Sequence, residues 1–234
     1  RDKLVTGVQT CALPICPVWL SFRVALVSVP AFALAGVLLG YLLARRRNRF
    51  TAALDFLVSL PLFFPPIATG FLLLLALGRR SLLGRLLQSG LGLDLIFSFW
   101  GVALASFVAG LPLAVKPVQT AVRAETLQLV DAAYVLGKSP LATFFAVVLP
   151  NIRGSVCTAV FLAFGRSLGE VGVTLMLGGN IVGKTNTVSL EIYNAVFTGD
   201  FDRALSLTAL LGCLSLAMLW LVRRSDPGQG LARR

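Results

Sequence analysis

Two groups of residues in this chain have the types and spacing that chemistry uses. The first is GGNIVGKT, in which Gly178, Gly183, Lys184 and Thr185 match the G-x-x-x-x-G-K-[ST] phosphate loop in full. Such a loop works by turning backbone N–H groups and a helix N-terminus toward phosphates, so it needs a strand before it and a helix after it. Here a long apolar run precedes and TNTVSLEIY follows with strand-like or irregular character, so no nucleotide site is expected. The second group is Arg166 with Glu170, opposite charges four residues apart in an apolar stretch. At that spacing on a helix they share a face and neutralise each other. An ionised side chain at membrane depth costs about 2.5–3.5 kcal/mol on insertion scales unless paired or hydrated. Two readings stay open: an ion pair that braces a bundle, and a pair beside a translocation route. The chain has no His, which removes the commonest general base and metal ligand, and no nucleophile stands convincingly beside a base. Neither an enzyme nor a metal site is expected.

The elements that must position these residues are membrane helices. Hydrophobic residues make up 57% of the chain and charged residues 13%, and mean hydropathy is +0.86, outside the range of a soluble domain. Five runs, roughly 19–44, 52–77, 95–115, 154–178 and 204–222, are long enough to cross a hydrocarbon core. They are continuous rather than alternating, which argues against a barrel. Pro61, Pro65 and Pro66 interrupt the second run, as a kink or as a broken helix lining a path. Gly36 with Gly40, and Gly165 with Gly169, form small-residue faces that favour close helix contact. Cys157 and Cys213 lie in apolar runs and read as small packing residues.

Charge at the ends of the runs sets the orientation. Arg45, Arg46, Arg47, Arg49, Lys116, Arg123, Lys138, Arg153, Arg223, Arg224, Arg233 and Arg234 fall on one side. Arg23, Arg79, Arg80, Arg85, Lys184 and Arg203 fall on the other. The excess predicts an N-terminus outside and a C-terminus in the cytoplasm. The same scatter among helix ends speaks against nucleic-acid binding, which needs a basic stripe with interleaved aromatics.

The N-terminal VTGVQTCALPI has no helical or strand period. TCALPI is what one frame of ACGTGTGCTCTTCCGATCT encodes, and that DNA resembles the end of a short-read library adapter. Residues 1–16 are therefore expected to be a disordered adapter artefact. A transmembrane domain is expected over 17–224, and a short polar tail over 225–234.

The longest cytoplasmic connection, VDAAYVLGKSPLATFFAVVLPNIRG, is neither polar nor low in complexity. An amphipathic turn to about Leu136 is followed by Gly137. Ser139 then caps a second short helix with Pro140 at its first position. That helix presents Leu141, Phe144 and Phe145 and is expected to end at Pro150. A short cytoplasmic helix with aromatics suits insertion into a partner's groove.

Here the sequence resembles the permease subunits of ABC importers. Their signature is Glu-Ala-Ala, three residues, Gly, nine residues, Ile, one residue, Leu-Pro; this chain has Asp131, Ala132 and Ala133, then Gly137, then Val147, Leu149 and Pro150 at the same spacing. The segments LPLFFPPIATGFLLLLALGRR and FGRSLGEVGVTLMLGGNIVGKTNTVSLEIYNAVFTGDFDRA are similar to the molybdate and sulfate branch, and GNIVGKTNTVSLEIY looks closer to the molybdate permease.

The resemblance implies an all-α integral membrane fold, the type I ABC importer permease fold, in a bacterial inner membrane. It implies a homodimer around a central path and a coupling helix at Gly137–Phe145 that seats in a cytoplasmic ATPase. ATP and Mg would belong to that ATPase, with no cofactor on this chain. A periplasmic oxyanion-binding protein would face Asn180, Gly183, Lys184 and Thr185 in the external loop. Arg166, Glu170, Pro65 and Pro66 would lie along the path or brace the bundle. The transported ion is expected to be molybdate, with tungstate or sulfate as alternatives. A secondary transporter would need inverted repeats and ion-coupling residues in discontinuous helices, and no repeat is seen.

Overall fold

The computed structural model describes residues 15–46, 48–79, 81–91 and 95–225. Of the segment 1–16 expected to be a disordered adapter artefact, residues 1–14 lie outside the described residues, while Ile15 and Cys16 are helical; of the expected tail 225–234, residues 226–234 lie outside them and Ser225 is helical. Among the described residues every regular element is a helix: α1 Ile15–Arg45, α2 Arg49–Phe63, α3 Pro66–Leu77, α4 Leu82–Leu91, α5 Phe99–Ala121, α6 Leu127–Val135, α7 Pro140–Thr143, α8 Leu149–Leu168, α9 Gly172–Gly178, α10 Val188–Thr198 and α11 Phe201–Ser225. Wide-ring π turns at Val122–Thr126 and Phe144–Val148 join α5 to α6 and α7 to α8.

Among the described residues four helices are long and apolar enough to cross a membrane: Cys16–Arg45, Phe99–Ala124, Pro140–Leu168 and Phe201–Leu221. The expected run 52–77 is instead two helices, α2 and α3. Pro65 takes an extended conformation (φ −55°, ψ 132°) and Pro66 opens α3 at its first position. The residue before a proline is pushed out of the α region, so consecutive prolines break the helix rather than bend it.

The expected run 154–178 shifts as well. Pro150 does not end the helix begun at Pro140. The Phe144–Val148 π turn widens the ring ahead of the proline, where an α-helical N–H is missing, and the helix continues to Leu168. It stops before Gly169, and α9 begins at Gly172.

The chain forms two compact units. The first comprises the chain up to Ser28, Phe64–Ala109 and Ser167–Ser215. In it α3 packs on α9 through a glycine on each. A Cβ on Gly70 would lie 2.9 Å from the Val173 Cα, and one on Gly172 would lie 2.9 Å from the Pro66 Cβ. Ala105, Val173 and Leu177 form the adjoining core.

The second unit comprises Val29–Phe63, Gly110–Arg166 and the chain from Leu216. A Cβ on Gly36 would meet the Ala114 carbonyl oxygen at 2.6 Å, and one on Gly40 would meet Val118 at 2.8 Å, so this small-residue face does bring helices together. The Gly165 and Gly169 face does not: a Cβ on either meets nothing within 4 Å among the described residues. Cys157 and Cys213 are exposed rather than packed. The core of this unit gathers Ala44, Val118, Val122, Val130, Val148 and Ile152, with Tyr41, Tyr134 and Phe144 against it.

Candidate functional site

The hairpin from Val130 to Pro150 is built by local rules. Leu136 ends α6, the Gly137 N–H donates to the Tyr134 carbonyl at 2.9 Å, and the Lys138 N–H donates to the Ala133 carbonyl at 3.0 Å. This is the Schellman pattern, and it needs the left-handed conformation that Gly137 holds at φ +76°. The Ser139 hydroxyl then accepts from the Ala142 N–H at 3.3 Å, with Pro140 at the first helical position. The expected Ser139 cap is therefore in place, and Gly137 adds a C-terminal one.

The hairpin divides its side chains into two sets. Ala133, Thr143 and Val148 are buried. Phe144 is half-buried and meets Tyr41 edge-on at 5.2 Å, while the Arg45 guanidinium lies 5.0 Å from the Tyr134 ring. The other set faces out: Val135 is 88% exposed, Leu136 80%, Leu141 73% and Phe145 63%. Asp131, Ala132, Gly137, Ser139, Pro140 and Pro150 are exposed too, and Leu149 is half-buried. The sequence thus spends one aromatic of the Phe144–Phe145 pair on the core and leaves the other outside. An apolar patch presented by rigid, capped turns is what a groove on a partner can grip.

At the α8–α9 break, Glu170 is 3% exposed and its carboxylate accepts from the Val173 N–H at 2.8 Å. It acts as a cap at the start of α9. Because α8 ends at Leu168, Arg166 and Glu170 do not share one continuous helix, and the i, i+4 argument does not describe them. Arg166 is half-buried in the last turn of α8. The Ser189 hydroxyl donates to the Leu168 carbonyl and satisfies a group freed by the break. At the α2–α3 break Pro65 and Pro66 are exposed, as are Phe63, Phe64 and Ile67.

The phosphate-loop match lies in the first unit, and its threonine and asparagine are bonded within the fold. Thr185 is fully buried; its hydroxyl donates to the Gly178 carbonyl at 2.7 Å and accepts from the Ile181 N–H at 2.8 Å. Gly179, Asn180 and Gly183 all have positive φ. The Asn180 and Asn194 amides pair reciprocally, at 2.6 and 3.2 Å. TNTVSLEIY corrects the strand-like expectation: α10 begins at Val188, with Thr187 capping it through the Leu190 N–H. The match still lacks a strand before it, and Thr185, whose hydroxyl a phosphate loop would turn toward a metal ion, is turned inward. Lys184 is exposed and lines a cavity of about 410 Å³ with Gly78, Arg79, Ile96, Phe97 and Ser98.

Two polar clusters escaped the sequence reading. In the first unit buried Glu191 pairs with Arg203 at 2.5 Å and accepts from the Asn186 amide. In the second unit Asp55 accepts from Lys116 Nζ and Gln119 Nε2, each at 2.9 Å. Asp55 within the second apolar run was an available signal for its cluster, but its partners Lys116 and Gln119, like Arg203 for Glu191, lie on other helices. Among the described residues no group of His, Cys, Asp and Glu is placed to hold a metal.

Comparison with known proteins bears on the whole chain. Residues 36–230 match the family model described as binding-protein-dependent transport system inner membrane component. The molybdenum transport system permease protein ModB of Azotobacter vinelandii is 37% identical over 213 residues, covering 89% of this chain and 94% of that protein. ModB of Escherichia coli K12 is 33% identical over 219 residues, 91% of this chain and 95% of its own. A chain from the crystal structure of a bacterial alginate ABC transporter, in complex with a periplasmic protein carrying an alginate pentasaccharide, shares the fold. Its TM-score is 0.73 at 17% identity, over 97% of this chain and 82% of that one. With a family model matching most of its length, permease relatives covered almost end to end and helices long and apolar enough to cross a membrane, the chain belongs to the binding-protein-dependent transport system inner membrane components, as a multi-pass permease.

Proposed function

We propose that this chain is the permease of an ATP-driven molybdate importer and works as a homodimer, with its N-terminus outside and its C-terminus in the cytoplasm. The substrate class rests on the ModB relatives. The mechanism rests on one observation: Val135, Leu136, Leu141 and Phe145 project from a capped hairpin whose other face is anchored in the core. A cytoplasmic ATPase subunit grips that patch on each copy. Closure of the ATPase dimer on ATP and Mg pulls the hairpin, and the unbroken run Pro140–Leu168 carries the displacement along its length. The α8–α9 and α2–α3 breaks are where such movement is absorbed, since residues outside helices take up changes in φ and ψ.

A periplasmic oxyanion-binding protein delivers the ion at the loops around Asn180 and Lys184. Glu170 serves as a helix cap at the α8–α9 break, and Arg166, one turn earlier in sequence, stands beside the route.

The test is co-purification with a candidate ATPase, followed by oxyanion-dependent ATP hydrolysis in liposomes with the binding protein added. Molybdate stimulation lost on disrupting Gly137–Phe145 is the expected result. A response to tungstate or sulfate alone corrects the substrate and keeps the assembly. Failure to bind any ATPase overturns the reading in favour of a secondary transporter.

A further inference from the structure

A second cavity, of about 570 Å³, lies in the second unit and has no part in the transport cycle just described; Arg46, Asn48, Arg49, Thr51, Asp55 and Arg123 line it. The geometry points to a binding site for a phosphate-bearing anion, whose occupant is the headgroup of an anionic phospholipid.

Charge carries the first step. Three guanidiniums face the cavity against one carboxylate, and that carboxylate already accepts from Lys116 and Gln119 at 2.9 Å each. Guanidinium forks match phosphate oxygens in geometry and keep their charge at every physiological pH. Arg123 uses one nitrogen on the Leu43 carbonyl at 2.8 Å, which fixes its position and leaves other N–H donors available. The N-terminus of α2 opens on the same cavity. Asn48 and Thr51 cap it reciprocally, with the Thr51 N–H donating to Asn48 Oδ1 at 2.8 Å and the Asn48 N–H to Thr51 Oγ1 at 3.0 Å. The positive end of the helix dipole adds to the field.

Position decides between a lipid and a free ion. The membrane-crossing helices Cys16–Arg45 and Phe99–Ala124 both end at this cavity, which is the depth of lipid headgroups. On α2 itself Phe56, one turn beyond the lining Ala52, is exposed and offers apolar surface along which an acyl chain can lie. A free phosphate has no use for that surface. Basic pockets at the cytoplasmic ends of membrane helices suit the negatively charged inner leaflet.

The test uses the purified chain in detergent, offered equal amounts of phosphatidylglycerol and phosphatidylcholine, with retained lipid measured by native mass spectrometry. Retention of phosphatidylglycerol is expected to exceed phosphatidylcholine about fivefold, falling to parity in the R46Q/R49Q/R123Q variant. Asp55→Asn removes the one acidic wall and is expected to raise the preference; it carries the test if the triple variant does not fold. A separate arm asks whether millimolar inorganic phosphate protects these arginines from phenylglyoxal. Protection without lipid preference keeps an anion site and overturns the lipid as its occupant. Neither preference nor protection, or no rise with Asp55→Asn, overturns the site.

Discussion

The hairpin at Val130–Pro150 and the loop at Gly178–Thr187 are both turns between helices, each with a glycine at positive φ and a following threonine or serine cap. They use these parts in opposite ways. In the hairpin the caps are local and the large apolar side chains are left over, facing out. In the loop Thr185 and Asn180 are turned in, bonded to Gly178 and Ile181 and to Asn194, while buried Asn186 bonds through its amide nitrogen and leaves its oxygen without a partner. A motif match in the second region therefore marks a turn whose threonine is bonded within the fold, while a weaker-looking string in the first leaves surface to spare. What separates them is where the unsatisfied surface lies.

The largest effect is expected from filling that surface with charge. Leu141→Asp combined with Phe145→Asp places two carboxylates in the interface proposed for the ATPase, and centrally buried anchors in such interfaces are worth about 2 kcal/mol or more. Retention of the ATPase in detergent is expected to fall roughly thirtyfold, with the melting temperature of the permease alone unchanged. If retention is unaffected, the exposed patch is not the docking surface and the contrast loses its functional half.

Next comes the inward-facing region. Thr185→Val keeps shape but leaves the buried Gly178 carbonyl and Ile181 N–H without their partner, a loss of about 1–3 kcal/mol. The measurement is thermal unfolding in detergent, and a lowered midpoint is expected with no change in nucleotide binding. A fall in ATP-analogue binding instead would revive the phosphate-loop reading.

Gly137→Val tests the turn of the hairpin rather than its surface. A side chain in the left-handed region costs about 1–2 kcal/mol, and a β-branched one suits it least. Weaker ATPase retention is expected, partly restored in Gly137→Asn because Asn tolerates that conformation. Equal retention in all three would mean that the Schellman turn does not set the hairpin's geometry.

These differences explain what could be read from the sequence. Gly137, Ser139 and Pro140 were legible because caps act over three or four residues, and the Gly36 and Gly40 face because helix spacing is fixed. The α2–α3 break was half legible: Pro65 and Pro66 announce an interruption, and the extended Pro65 makes it complete. Helix α10 was missed because Thr, Val and Ile in TNTVSLEIY favour strands locally, although Thr187 before it and Gly199 after it were usable end signals. Pro150 misled because a proline ends a helix only when the preceding turn cannot widen, and here it does. The Glu191–Arg203 and Asp55–Lys116 pairs join separate helices, so no local pattern could announce them.

The smallest effect sharpens the comparison most. Lys184 is the residue that makes the motif look like a nucleotide site, yet it is exposed and faces a cavity shared with Arg79 and Ser98. Surface substitutions of this kind change stability by about 0.5 kcal/mol or less. Lys184→Gln is therefore expected to leave unfolding and ATP hydrolysis by the assembled importer unchanged. On the proposed function it removes one cation from the mouth the oxyanion approaches, and molybdate uptake at low ionic strength is expected to slow by a few fold. The deficit should vanish near 0.15 M salt, where the screening length is about 8 Å. A loss that persists in salt would mean that Lys184 contacts the ion directly, and the outer loop would then share with the hairpin the role of presenting side chains to a partner.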